Sequence, residues 1–198
     1  MAVHNLPVTQ RELFAGAPAA AIPGLCYAPE FLSESEELQL LAMLGGLPFK
    51  EAQYKEWHAR RRIVSFGGRY DFTHHQLSEA PPIPEALLPL RDRIAGLASL
   101  VPESIQHAMV AEYQPGTPLG WHRDVPDFEV IMGVSLLGKA RLRFRPWPPK
   151  PNARATLAID LAPRSAYVLR DEVRWHWQHA VSPTKELRYS ITFRTRRS

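Results

Sequence analysis

Between residues 188 and 194 the chain reads Arg188-Tyr189-Ser190-Ile191-Thr192-Phe193-Arg194. In an extended strand, alternate side chains leave on opposite faces. Arg188, Ser190, Thr192 and Arg194 therefore share one face, and Tyr189, Ile191 and Phe193 share the other. The apolar row needs a core to pack against. A row of arginines and hydroxyls does not suit a dry core, but it suits a polar pocket for a small anion. Guanidinium binds carboxylate through paired, charge-assisted hydrogen bonds.

A second feature lies upstream. His122 and Asp124 stand two residues apart, so a strand presents their imidazole and carboxylate to one point. His179, just before the arginine strand, completes a set of two histidines and one carboxylate. That set holds a non-haem Fe(II) and leaves positions open for a co-substrate and O2. His176 lies three residues before His179 and, on a strand, faces the opposite way. His74-His75 reads as loop surface. A metal triad beside a site for a small dicarboxylate suggests a 2-oxoglutarate-dependent oxygenase.

Nineteen prolines and eleven glycines in 198 residues favour many short strands and loops over a helical bundle. Strands are expected over 107–113, 129–137, 140–145, 155–160, 165–170, 175–181 and 188–195, with Pro146 to Pro151 as a loop. The expected fold is mainly β with flanking helices. The jelly roll (a cupin-like double-stranded β-helix) is the version that accommodates the metal set. Residues 1–20 read as a lead-in, 21–105 as an N-terminal extension of helices and hairpin, and 106–198 as the catalytic core. In the extension, Ser33 to Glu36 form a capping box ahead of a helix carrying Leu38, Leu40, Leu41 and Leu44, which Gly45-Gly46 ends. Glu85 to Leu100 reads as a second amphipathic helix.

Residues 50–80 are aromatic and basic. Arg62 to Phe66, the turn Gly67-Gly68 and Arg69 to Phe72 predict a hairpin. It is either a solvated flap with aromatics packed inward, or a lid whose arginines contact phosphate while its aromatics stack on a base. The net charge of +4 permits a polyanionic partner without requiring one. A single cysteine, Cys26, excludes an intrachain disulfide and reads as a small buried apolar residue. No basic segment followed by a long apolar run opens the chain, so no secretory leader is expected. The expectation is a monomer inside the cell, cytoplasmic or nuclear in a eukaryote, without membrane contact.

With these residues in view, the sequence resembles the AlkB family of Fe(II)/2-oxoglutarate dioxygenases. Tyr113-Gln114-Pro115-Gly116, His122-x-Asp124, His179 and Arg188 to Arg194 carry the resemblance, in that order. It implies Fe(II) on His122, Asp124 and His179, with O2 and 2-oxoglutarate as co-substrates. It also implies that Arg188 holds the distal carboxylate of 2-oxoglutarate with help from Tyr113 and Ser190, and that Arg194 steadies the end nearer the metal. The implied reaction hydroxylates an N-alkyl group on a base in DNA or RNA, single-stranded or flipped out, and the group leaves as an aldehyde. Trp57, Arg60, Arg61, Arg62, Tyr70 and Asp127 are the substrate contacts that follow. The alternative on the same iron is oxidation of a protein side chain or a small metabolite. Ala111 stands where some members have an asparagine, and Pro126 where some have an acidic base-reading residue.

Overall fold

The computed structural model describes residues 22–54, 57–71, 76–78, 80–151 and 157–197; for 52–54, 57–60, 69–71 and 76–78 only the backbone is described. The lead-in 1–20 and His74-His75 lie outside the described residues. The strands are β1 (Leu25–Ala28), β2 (Lys50–Tyr54), β3 (Trp57–Phe66), β4 (Arg69–Asp71), β5 (Gln76–Ser78), β6 (Ile105–Tyr113), β7 (Leu119–His122), β8 (Phe128–Leu137), β9 (Ala140–Pro146), β10 (Leu157–Leu161), β11 (Ala166–Leu169), β12 (Trp177–Val181) and β13 (Arg188–Arg196). The α-helices are α1 (Glu34–Leu44), α2 (Leu88–Leu97) and α3 (Asp171–Trp175).

Seven strands form the major sheet in the order β1-β11-β8-β13-β6-β3-β2, and β10-β9-β12-β7 form a smaller one. Every strand pair is antiparallel. This is the jelly roll that the sequence predicts. The arginine strand β13 runs through the centre of the major sheet, between β6 and β8. Its apolar row divides from its polar row as alternation requires. Ile191 and Phe193, both fully buried, pack with Leu44 of α1 and with Leu90 and Ile94 of α2 in one core on the back of the sheet. Burying each such side chain contributes about 1.5–3 kcal/mol. A second core, with Ile131, Leu142, Phe144, Leu169 and Val181, includes residues of both sheets.

Helix α1 begins as its sequence dictates: Ser33 Oγ accepts from the Glu36 amide, and Glu36 accepts from the Ser33 amide at 2.7 Å. Leu38 departs from its expected place in the stripe and is exposed. Glu37 turns inward instead, accepting the Leu137 amide at 2.8 Å and the Arg164 guanidinium at 3.2 Å. Those contacts tie the helix to the end of β8. Cys26 is half-buried beside the first core. The second predicted helix opens with a short 3-10 turn, Glu85–Leu87, before α2.

Two expectations are corrected. The hairpin over Arg62 to Phe72 does not form, because both edges of β3 are already taken, one by β2 and the other by β6. β4 pairs with β5 instead. The Gly67 amide donates to Pro81 O at 2.7 Å, and a Cβ there would meet Gln106 O at 1.8 Å. Its φ of +73° and that close approach make glycine necessary, and they lead the chain away from β3. The second correction is Trp175, which ends α3 instead of opening β12.

Candidate metal centre and co-substrate pocket

The metal set is assembled by an irregularity in β7. On β12, Val181 pairs with Leu119 and His179 with His122, so three steps along β7 oppose two along β12. The extra residue is a β-bulge, and it lets both Leu119 and His122 face the interior. Trp121 turns outward, under Arg143 and Arg145. His122 Nδ1 lies 2.9 Å from Gly120 O. A carbonyl only accepts, so Nδ1 carries the proton and Nε2 keeps its lone pair for a metal.

His122, Asp124 and His179 bring one ligand atom each within 4.8 Å of the others, and among the described residues they are the group that can hold a metal ion. The imidazoles of His122 and His179 stand 4.2 Å apart, and His179 Nε2 lies 3.5 Å from Asp124 Oδ2. His176, at the end of α3, is exposed and takes no part. Asp124 Oδ1 accepts from Arg194 Nε at 3.0 Å and lies 2.9 Å from its Nη2. Oδ2 is thereby left on the histidine side. Burial pushes the Asp124 carboxyl up, but Arg194, His179, His122 and Arg174 together outweigh it and hold the group ionised well below the usual range. Burial also lowers both His122 and His179, the latter to about 3, so both are neutral at physiological pH, the form that can bind a metal.

Arg194 is itself held from behind. Its Nη1 lies 3.3 Å from Nδ1 of the buried His107, whose ring packs on Phe128. Burial, followed by the Arg194 charge, lowers His107 to about 3. The unfolded chain therefore takes up this proton first as pH falls. Its contribution to stability is complete above the unfolded value near 6.5 and is lost as pH falls toward 3. The metal-free protein is expected to lose up to about 1.4 kcal/mol per pH unit for each such histidine. Denaturant titrations from pH 7.5 to 5 check this. His107→Gln should flatten the slope by about one proton's worth, and an unchanged slope would place a charged His107 in the fold.

Arg188 is almost fully buried on the same face. Its Nε donates to Ser135 Oγ at 2.9 Å, and its guanidinium lies 5.0 Å from the Tyr113 ring centroid. Nη1 is buried with no hydrogen-bond partner. A buried guanidinium N–H left unpaired is costly, and a carboxylate supplies the missing acceptor. The floor beside it is small: Ser190 pairs with Ala111 and Ser135, and Thr192 with Gly133. Short side chains there leave room above the sheet. A Cβ on Gly133 would fall 2.3 Å from Tyr167 Cζ, so glycine is what lets that phenol lie against the strand. These residues fit a small dicarboxylate beside a divalent metal.

Two neighbours escape a reading by motif. Tyr167 lies near enough for Arg188, Tyr113 and Asp124 to act on its hydroxyl, and burial raises that group to about 12. Arg174 is buried and donates through Nη2 to Val125 O and Phe128 O at 2.8 and 2.7 Å, which pins the loop that carries Asp124.

The sequence-predicted substrate residues are placed unevenly. The side chains of Trp57, Arg60 and Tyr70 lie outside those described. Arg62 faces away from the metal and is bound to Glu112 through two hydrogen bonds, Nε to Oε1 at 2.8 Å and Nη2 to Oε2 at 2.9 Å. Arg61 is the described member of the triplet whose charge bears on His122. Asp127 is exposed in the loop after Asp124.

Two histidines and a carboxylate converging inside a double-stranded β-helix, next to a buried guanidinium that lacks its anion, define a class of enzyme. The chain belongs to the 2OG-Fe(II) oxygenase superfamily, whose profile matches residues 24–194. Within it, the chain is of the AlkB type. It is 29% identical over 185 residues to the Alkylated DNA repair protein ALKBH8 homolog of Arabidopsis thaliana, covering 81% of this chain and 51% of that protein. It is 25% identical over 172 residues to the Probable RNA/DNA demethylase ALKBH6 of Danio rerio, covering 81% and 70%. The solved structure of OsALKBH1 shares the fold, with a TM-score of 0.73 at 17% identity over 89% of this chain and 98% of that one. The protein is accordingly a dioxygenase that uses Fe(II), 2-oxoglutarate and O2. No described helix is long and apolar enough to cross a membrane.

Proposed function

We propose that the protein removes alkyl groups from nucleobases in DNA or RNA, with iron held by His122, Asp124 and His179 and 2-oxoglutarate held by Arg188, Tyr113 and Ser190. The observation that carries the reading is the convergence of three ligand atoms within 4.8 Å next to the unpaired Nη1 of buried Arg188. The names of the two relatives, a repair protein for alkylated DNA and a probable RNA/DNA demethylase, supply the substrate class.

Iron, 2-oxoglutarate and O2 together supply an oxidant that hydroxylates a C–H bond while the co-substrate leaves as succinate and CO2. The chain supplies position. Gly120 O fixes the His122 tautomer, and Arg194 keeps Asp124 ionised and turned with Oδ2 toward His179. Arg188, helped by Ser190 and Tyr113, would hold the far carboxylate, while Ser135 accepts from Arg188 Nε and orients the guanidinium. Arg194 stands at the metal end, where it steadies the nearer end of 2-oxoglutarate as well. A base that reaches this site has first to leave its stack. Arg61 faces it from β3, with Trp57, Arg60, Tyr70 and Asp127 as further contacts of the bound strand and Arg62 anchoring β3 to Glu112.

The test is succinate formation with Fe(II) across N-methylated DNA and RNA oligonucleotides, methylated peptides and free nucleosides. Turnover that depends on an alkylated oligonucleotide, with aldehyde released in step with succinate, is the expected result. Turnover with peptides or metabolites alone would overturn the nucleic-acid reading.

A further inference from the structure

The outer face of the smaller sheet carries a basic surface that the metal centre does not use. Trp121 and Arg123 flank His122 on one side of this face; Arg145 and Trp147 lie across β12 on the other. They are laced reciprocally, with Arg145 4.6 Å from the Trp121 ring centroid and Arg123 4.9 Å from that of Trp147. Arg143 lies over Trp121 as well, at 5.1 Å. Indole faces hold these guanidiniums in place without neutralising them. Arg145 also donates through Nε to Gln178 at 2.8 Å, and Arg123 through Nη1 to Trp175 O at 3.0 Å. Arg143 Nε is buried without a partner. Among the described residues no carboxylate forms an ion pair with Arg123, Arg143 or Arg145; on this face Arg141 alone has one, with Asp160 at 3.4 Å.

We infer that this face binds the phosphate backbone of the single-stranded nucleic acid whose base enters the metal centre. The inference rests on the nucleic-acid reading above. Three pre-oriented cations without acidic partners call for a repeating anion. Trp147, 40% exposed, adds an indole on which an unstacked base can lie. Because Trp121 and Arg123 adjoin a metal ligand in the chain, phosphates held here belong to nucleotides close to the target.

The experiment measures binding of a labelled single-stranded oligonucleotide, methylated and unmethylated, over a salt series. Each phosphate contact on a single strand contributes roughly 0.7 to the log–log salt slope. The triple variant Arg123→Gln, Arg143→Gln, Arg145→Gln should therefore be shallower by about 2, with the protein folded and 2-oxoglutarate binding unchanged. If the triple variant fails to fold, the exposed Arg123→Gln alone should lower the slope by about 0.7. Equal slopes for a folded variant and wild type, with wild type binding and turning over the oligonucleotide, would overturn the surface and leave the proposed function standing. No oligonucleotide binding or turnover by wild type at any salt would overturn both. An acidic peptide that binds wild type as tightly, and loses as much in the variant, would show a general anion surface and overturn the assignment to nucleic acid.

Discussion

His122→Ala is expected to abolish succinate formation while the protein still folds. His122 sits at the end of a four-residue strand and is only partly buried, and among the described residues its side chain hydrogen-bonds to Gly120 O within the same bulge. Removing it deletes one of three ligand atoms and strands no charge. The loss should exceed the roughly 10–100-fold that follows when only the hydrogen-bond partner of a ligand is removed. Asp124→Ala should be equally inactive and less stable. It leaves the buried Arg194 with His107 but without its counter-charge, and breaking a buried pair on one side costs about 3–5 kcal/mol. Asp124→Asn, which keeps an oxygen for Arg194, should recover most of that stability without recovering activity. Thermal melts beside succinate assays check all three. A metal-stripped His122→Ala protein turning over at the wild-type rate would remove this residue from the metal set.

Arg188→Ala is expected to raise the 2-oxoglutarate requirement at least tenfold while iron binding persists. Truncating one partner of a buried, hydrogen-bonded charge pair costs about 2–5 kcal/mol, and 1.4 kcal/mol is already a factor of ten. The structure adds a reason to expect the upper part of that range. Arg188 is 1% exposed, Ser135 meets only its Nε, and Nη1 has no acceptor among the described residues until an anion arrives. Arg188→Lys should rescue in part, because an ammonium cannot reproduce the two-pronged contact. Co-substrate titrations with constant iron measure the effect. An unchanged 2-oxoglutarate requirement in Arg188→Ala would take Arg188 out of the pocket.

What could be read from the sequence was what depends on local rules. The capping box at Ser33 is satisfied within four residues, so it survives any tertiary context. Alternation in β13 has period two over seven residues, and both of its faces found the environments their chemistry requires. Features set by long-range pairing were not legible. The arginine-rich strand β3 has the turn residues of a hairpin at Gly67-Gly68, yet its free edges are taken by β2 and β6, which no local signal reveals. The outward turn of Trp121 is likewise not legible, because strand alternation alone does not announce the bulge that decides which side it faces. Arg62 and Arg61 look alike in sequence; one step along β3 sends the first to Glu112 and the second toward the metal. Tyr167 and Arg174 gain their roles from neighbours in other strands and loops, at separations that no short motif spans.

The most direct measurement is an anaerobic titration of the metal-free protein with Fe(II) and 2-oxoglutarate, following stoichiometry by calorimetry and chelation by visible charge-transfer absorption. Wild type should bind one Fe(II) per chain and develop the band only when both components are present. Arg188→Ala should need far more 2-oxoglutarate for the same band, and His122→Ala should give none. A folded wild-type protein that binds no iron, or gives the same band without His122, would contradict the assignment of His122, Asp124 and His179 as the metal centre.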